Sequence, residues 1–180
     1  MSEDIRKFSK RIYTLLLLCV LVYVSSKPFI QCFSVNGHSM ENTFMPDEDI
    51  YVNKIAYRFS DPERFDIIVF HSISDPGKQY VKRIIGLPGE NVKIDVKGNI
   101  YINNVKLDEH YGKEEISDPG NAEKELILGK DEFFVLGDNR NNSIDSRFPE
   151  VGKVNKRQII GKVLFHWEMS VLAFLFCFYA

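Results

Sequence analysis

The chain is poor in cysteine, with three, at positions 19, 32 and 177. An odd number without a C-x-x-C pair argues against a disulfide framework and against a structural zinc site. All three lie in or beside apolar terminal segments, where they read as small apolar residues. No block of like charge exists: 23 Lys and Arg stand against 25 Asp and Glu, a formal net charge of −2. Without such a block, and without basic residues interleaved with aromatics, nothing points to a nucleic-acid partner. His38, His71, His110 and His166 show no H-E-x-x-H spacing, so no metal site is expected. No phosphate-cradling glycine loop occurs either, because Gly86-Leu87-Pro88-Gly89 contains a proline, precedes a strand and fits a turn. Internal repeats and low-complexity tracts are absent. The 180 residues suit one domain, with room for a small subdomain and a real core.

The strongest compositional signal is at the N-terminus, where Lys7, Lys10 and Arg11 precede an uncharged run over 12–24. A membrane anchor and a cleaved signal peptide both fit this pattern. Val24-Ser25-Ser26 imitates an A-x-A cleavage site only passably, and Tyr13 and Tyr23 sit at the ends of the run as interfacial anchors do. The run alone is short for a span of about 20 residues; extension past a snorkelling Lys27 to Phe33 supplies the length. The expectation is an uncleaved anchor over 12–33, with 1–11 cytoplasmic and 34–180 outside, since the basic residues precede the run.

Beyond the anchor the sequence alternates in short strands. Candidate strands are 49–54, 65–70, 80–85, 132–136 and 158–165, and 92–96 with 100–102 forms a hairpin around Lys97-Gly98-Asn99. The expected fold is mainly β: antiparallel sheets forming a catalytic core, a smaller hairpin and loop subdomain over 90–130, and one N-terminal transmembrane helix. The polar stretch 107–130 reads as a surface loop. The apolar run 169–180 is too short to span a bilayer and either enters the membrane interface or closes the core.

Three segments could carry chemistry. In Val35-Asn36-Gly37-His38-Ser39-Met40 a serine beside a flexible glycine can present its hydroxyl and its backbone N–H together, as a nucleophile with an adjacent oxyanion donor requires. Taken alone the signal is weak, since a serine after glycine in a loop is in most cases an ordinary turn residue. In Tyr80-Val81-Lys82-Arg83-Ile84-Ile85, Lys82 shares a strand face with Tyr80 and Ile84. If that face is buried, desolvation disfavours the ammonium, and a neutral lysine is a usable base, whereas Arg83 could never be one. The pattern does not say which face is inside, and alone it fits a surface lysine whose stem covers apolar neighbours. The third segment, 137–147, puts many short polar side chains beside Arg140 and Arg147, with Asp138 and Asp145 as candidate partners. An EF-hand count places Asn139, Asn141, Ser143, Asp145 and Glu150 at positions 1, 3, 5, 7 and 12, but Ile144 occupies the glycine position and no flanking helices are suggested. His38 adjoins Ser39 but points to the opposite face of an extended segment, which makes it a poor base.

These segments, in this order behind one apolar N-terminal run, resemble the bacterial type I signal peptidases of the Gram-positive-like branch. The resemblance rests on Gly37-His38-Ser39-Met40, on Tyr80 through Gly89, and on Gly137-Asp138-Asn139-Arg140 through Ser143-Ile144-Asp145-Ser146-Arg147. It implies a Ser-Lys membrane endopeptidase that removes signal peptides from secretory preproteins. Ser39 would be the nucleophile and Lys82 the general base. Ser143 would hydrogen-bond the lysine, Asp145 and Arg147 would form a supporting ion pair, and the Ser39 N–H would hold the oxyanion. Its partners would be preproteins and membrane lipid; no metal or organic cofactor is implied. Asn42 stands where the family usually has proline, which implies a looser turn, and Asn141 where aspartate is common. A self-cleaving repressor-type Ser-Lys protease would need a DNA-binding helical domain where the apolar run stands. A non-catalytic membrane-anchored β-domain is disfavoured by the presence of both Ser39 and Lys82.

Overall fold

The structure, a computed structural model, describes residues 3–26, 29–75 and 77–164. The basic and apolar N-terminal stretch forms one helix, α1 (Glu3–Ser26), along which Leu15, Leu16, Leu17, Leu18, Val20, Leu21 and Val22 are exposed. Among the described residues no helix is long and apolar enough to cross a membrane. Of the stretch 12–33 expected as an anchor, α1 holds residues 12–26, and the end from Ile30 onward belongs to a strand. Residues Ile30–Ser34 are strand β1, whose backbone is committed to an antiparallel ladder with β2 (Asp49–Asn53), from Ile30 opposite Asn53 to Ser34 opposite Asp49.

The chain then forms α2 (Ala56–Phe59) and strands β3 (Ile67–His71), β4 (Gln79–Gly86), β5 (Asn91–Ile94), β6 (Ile100–Ile102), β7 (Val105–Lys106), β8 (Leu126–Ile127), β9 (Glu132–Leu136), β10 (Val154–Asn155) and β11 (Ile159–Leu164). Two antiparallel sheets result, one of seven strands in the order β1-β2-β11-β3-β4-β9-β10 and one of four in the order β7-β6-β5-β8. Both faces of the large sheet are covered at its centre. Ile68, Phe70, Ile84, Phe133 and Val135 pack with Val151 and Val154, while Ile67, Val69, Val52 and Val163 pack with Val35, Met40 and Phe44. That is why β3 reads Ile-Ile-Val-Phe with no polar residue in alternation.

The small sheet leans on the large one through Ile85, Phe134 and Leu136, which share a core with Val92, Ile94, Ile100 and Ile102. Gly86 sits at this seam, where a Cβ would come within 2.6 Å of Val92 Cγ2 and 2.8 Å of Leu128 Cδ1. The stretch 107–130 is more than a surface loop. It contributes the 3₁₀ turn Gly120–Glu123 and β8, and it buries Ile116, Ala122 and Leu128 in that shared core. Its few apolar residues are placed where they close the seam. The C-terminal apolar run lies outside the described residues.

Candidate active site

Strand β4 decides the site. Its alternation puts Lys82 on one face with Tyr80 and Ile84, opposite Ile68 of β3, and puts Arg83 on the other. Because the sheet is covered on both sides, both cations are buried, at 2% exposure each. Each needs a partner that makes burial tolerable.

Arg83 finds a carboxylate. Its Nε donates to Asp138 Oδ1 at 2.9 Å and its Nη2 to Asp138 Oδ2 at 2.6 Å, and the Tyr111 ring stacks 3.8 Å from its guanidinium carbon. Lys82 finds no carboxylate. Its Nζ lies 2.6 Å from Ser39 Oγ and donates to the Val81 carbonyl at 3.1 Å, with the Tyr80 ring centroid 5.5 Å away. Burial brings its pKa down to about 8 from an ordinary 10.5. Asp145 and Asp138 oppose the shift, and Arg147 and Lys78 reinforce it.

Ser39 is delivered by a turn between β1 and β2. The turn is closed by Glu41 N–H to His38 O at 3.2 Å, Thr43 N–H to Met40 O at 3.0 Å and Phe44 N–H to Met40 O at 2.8 Å, and buried Met40 and Phe44 seat it in the core. Among the described residues the Ser39 N–H donates to no acceptor. His38 turns outward and pairs with Glu41 through Nδ1, so it does not serve the serine.

The 137–147 loop packs against this turn. Gly137 is required there, because a Cβ would lie 2.3 Å from Ser143 Oγ and 2.5 Å from the Ser39 carbonyl oxygen. The expected pair of Asp145 and Arg147 forms, Arg147 Nε donating to Oδ1 at 2.8 Å and Nη2 to Oδ2 at 2.9 Å, both residues essentially fully buried. Asp145 also accepts the Gly137 N–H at 3.1 Å, which fixes the start of the loop. Two expectations differ from what is found. Asp138 pairs with Arg83, and Arg140 pairs instead with Glu109 at 2.7 Å, because Arg83 on the buried face of β4 takes both Asp138 oxygens. Ser143 lines the same cavity as Ser39 and Lys82, but its buried Oγ makes no hydrogen bond, so it does not hydrogen-bond the lysine in this arrangement.

Two cavities open on the pair. One of about 360 Å³ is lined by Val35, Met40, Val69, Tyr80, Val81 and Lys82, and one of about 500 Å³ by Gly37, Ser39, Lys78, Asn142 and Ser143. Ser39, Lys78, Tyr80 and Lys82 border both, so the hydroxyl stands at their junction. Among the described residues no cluster of three or more His, Cys, Asp or Glu could hold a metal.

Comparison with known proteins gives the chain a family. The family model for signal peptidase, peptidase S26, matches residues 8–168. The chain belongs to that family. It is 34% identical over 157 residues to signal peptidase I P of Bacillus subtilis subsp. natto, covering 83% of each chain. With signal peptidase IB of Staphylococcus aureus (strain MRSA252) it shares 33% identity over 174 residues, covering 87% of this chain and 88% of the relative. A crystal structure of a signal peptidase I from Enterococcus faecalis V583 matches at 34% identity and a TM-score of 0.48, over 57% of this chain and 97% of that one.

In this signal peptidase the two departures from the family pattern have structural counterparts. Asn42, at the usual proline position, takes φ +96°, which a proline ring cannot adopt, and its Nδ2 donates to the Tyr111 carbonyl at 3.3 Å. The turn that holds Asn42 is closed all the same by the Glu41, Thr43 and Phe44 N–H bonds. Asn141 uses both ends of its amide: Oδ1 accepts from Ser117 N–H at 2.9 Å and Ser117 Oγ at 2.7 Å, while Nδ2 donates to the Glu115 carbonyl at 3.0 Å. An aspartate could not make the last bond. Motif reading missed the two partners of Arg83, Asp138 and the Tyr111 ring, and the contact of Lys113 Nζ with Glu41 Oε2 at 2.8 Å, all of which join distant segments.

Proposed function

We propose that this signal peptidase cleaves preproteins with a Ser39-Lys82 dyad while anchored at the membrane by its N-terminal helix. The observation that carries the reading is the 2.6 Å approach of Lys82 Nζ to Ser39 Oγ, made by a buried lysine whose pKa is about 8. At pH 7 about one molecule in ten then holds the lysine neutral, against fewer than one in a thousand for an ordinary lysine. Neutral Lys82 accepts the Ser39 hydroxyl proton as Oγ attacks the scissile carbonyl. The developing oxyanion turns toward the Ser39 N–H, which has no competing acceptor among the described residues. The ammonium then returns the proton to the leaving amine of the mature protein, giving an acyl-enzyme. Lys82 next takes a proton from water, the hydroxide attacks the ester, and the signal peptide leaves as Ser39 recovers its proton.

Asp145 and Arg147 shape this site at one remove. Arg147 keeps the Asp145 carboxylate occupied, so Lys82 feels its charge without a direct ion pair that would hold the ammonium. The apolar cavity wall of Val35, Met40, Val69 and Val81 suits small apolar side chains of an extended substrate laid beside the Ser39 segment. The exposed apolar surface of α1 suits lipid, and the preceding Lys7, Lys10 and Arg11 suit a cytoplasmic N-terminus with the catalytic sheets outside. Ser39→Ala and Lys82→Ala should each abolish processing of a preprotein while the protein still folds. Substantial cleavage by either variant would sink the dyad.

A further inference from the structure

Asn139 makes no hydrogen bond to the Lys82 side chain or the Ser39 hydroxyl, yet it holds both peptide groups that flank the Ser39 Cα. Its Nδ2 donates to the His38 carbonyl at 3.0 Å, beside the Glu41 N–H that the same oxygen accepts at 3.2 Å, and its backbone N–H donates to the Ser39 carbonyl at 3.0 Å. The first contact bears on the chemistry. A peptide group is planar, with its C=O and N–H pointing in opposite directions, so pinning the His38 oxygen sets the direction of the Ser39 N–H. Hydrogen bonding at that oxygen also polarises the amide and strengthens its N–H as a donor.

The Asn139 amide is itself held in one orientation. Its Nδ2 also donates to Glu41 Oε2 at 3.1 Å, and since a carbonyl and a carboxylate can only accept, the amide nitrogen must face them. Glu41 receives Lys113 Nζ at 2.8 Å and the His38 ring as well. Those two contacts, the lysine first, hold its carboxyl below the ordinary carboxylate range, so the acceptor stays ionised. Asn139 is 4% exposed, which keeps water from replacing these bonds.

We propose that Asn139 is a positioning residue that orients the oxyanion-binding N–H of Ser39. The inference rests on the peptidase reading above. Asn139→Asp keeps the size and the backbone bond to Ser39 but turns the side-chain donor into an acceptor facing two acceptors. The full-length wild type and variant, in detergent, are compared by kcat and KM on a preprotein-derived peptide. Inhibition by a peptide aldehyde ending at the cleavage site is measured beside binding of the corresponding alcohol, which forms no oxyanion. The expected result is a fall in kcat of about tenfold to a hundredfold with KM nearly unchanged, matched by a similar loss of aldehyde affinity and no loss of alcohol affinity. Asn139→Ser, which also retains the backbone bond, serves the same comparison if the aspartate variant does not fold. Unchanged kcat and aldehyde affinity, or equal losses for aldehyde and alcohol, would overturn the role of Asn139 alone. A wild type that cleaves no such peptide would overturn the peptidase reading and this inference with it.

Discussion

At the scale of single residues, the site depends on keeping one buried cation without a countercharge. Arg83 and Lys82 are neighbours on β4 with equal burial, but Arg83 is neutralised by both oxygens of Asp138 while Lys82 meets a hydroxyl and a carbonyl. Burying Lys82 without a carboxylate partner costs stability. With a folded pKa of about 8 against an ordinary 10.5, the unfolded chain binds more protons between those values. The lysine's destabilising effect is therefore full below pH 8 and disappears as pH rises toward 10.5. Lys82→Met should accordingly raise stability at pH 7 by on the order of 1–3 kcal/mol, with the gain shrinking above pH 10, in denaturant titrations at several pH values. Asn42 is a second local case. Restoring the family's proline at φ +96° should destabilise the protein by more than about 1 kcal/mol, whereas Asn42→Gly should cost little, as melting curves of the two variants would reveal.

At the scale of elements, the candidate active site is a junction between the Ser39 turn, β4 and the 137–147 loop, with Gly137 a point of close approach. Gly137→Ala should therefore cut kcat more than tenfold, since a methyl must displace Ser143 or the Ser39 carbonyl, and steady-state kinetics would check it. Gly86→Ala belongs to the other junction. It should cost about 1–3 kcal/mol in global stability, because the added methyl meets Val92 and Leu128 across the seam between sheets. These junctions also mark what the sequence made legible. β2, β3, β4, β9 and the hairpin of β5 and β6 announce themselves by alternating or continuous apolar runs. The two-residue strands β7, β8 and β10 carry no period to read, and 107–130 hides its buried Ile116, Ala122 and Leu128 among polar residues. Ser39, Lys82, Asp145 and Arg147 each stand in a short local motif that only the resemblance singled out, and the structure brings Lys82 Nζ within 2.6 Å of Ser39 Oγ and pairs Asp145 with Arg147. The Arg83-Asp138 pair and the Lys113-Glu41 contact join segments far apart in the chain, and no local pattern announces them.

At the scale of the whole molecule, α1 leaves a row of leucines and valines uncovered by protein, while the sheets bury their apolar residues in three clusters. The helix should be what binds lipid. In vesicle flotation the full chain should rise with the vesicles, and a chain lacking residues 1–28 should remain with the soluble fraction; equal flotation would assign lipid binding to the sheets. The central claim, that a buried lysine is the base, is tested most directly by the pH dependence of kcat/KM on a preprotein-derived peptide. The account predicts activity that rises through an acidic limb centred near pH 8, where Lys82 loses its proton. A limb near 6.5, where an ordinary histidine titrates, or a flat profile from roughly pH 6 to pH 10, would contradict it.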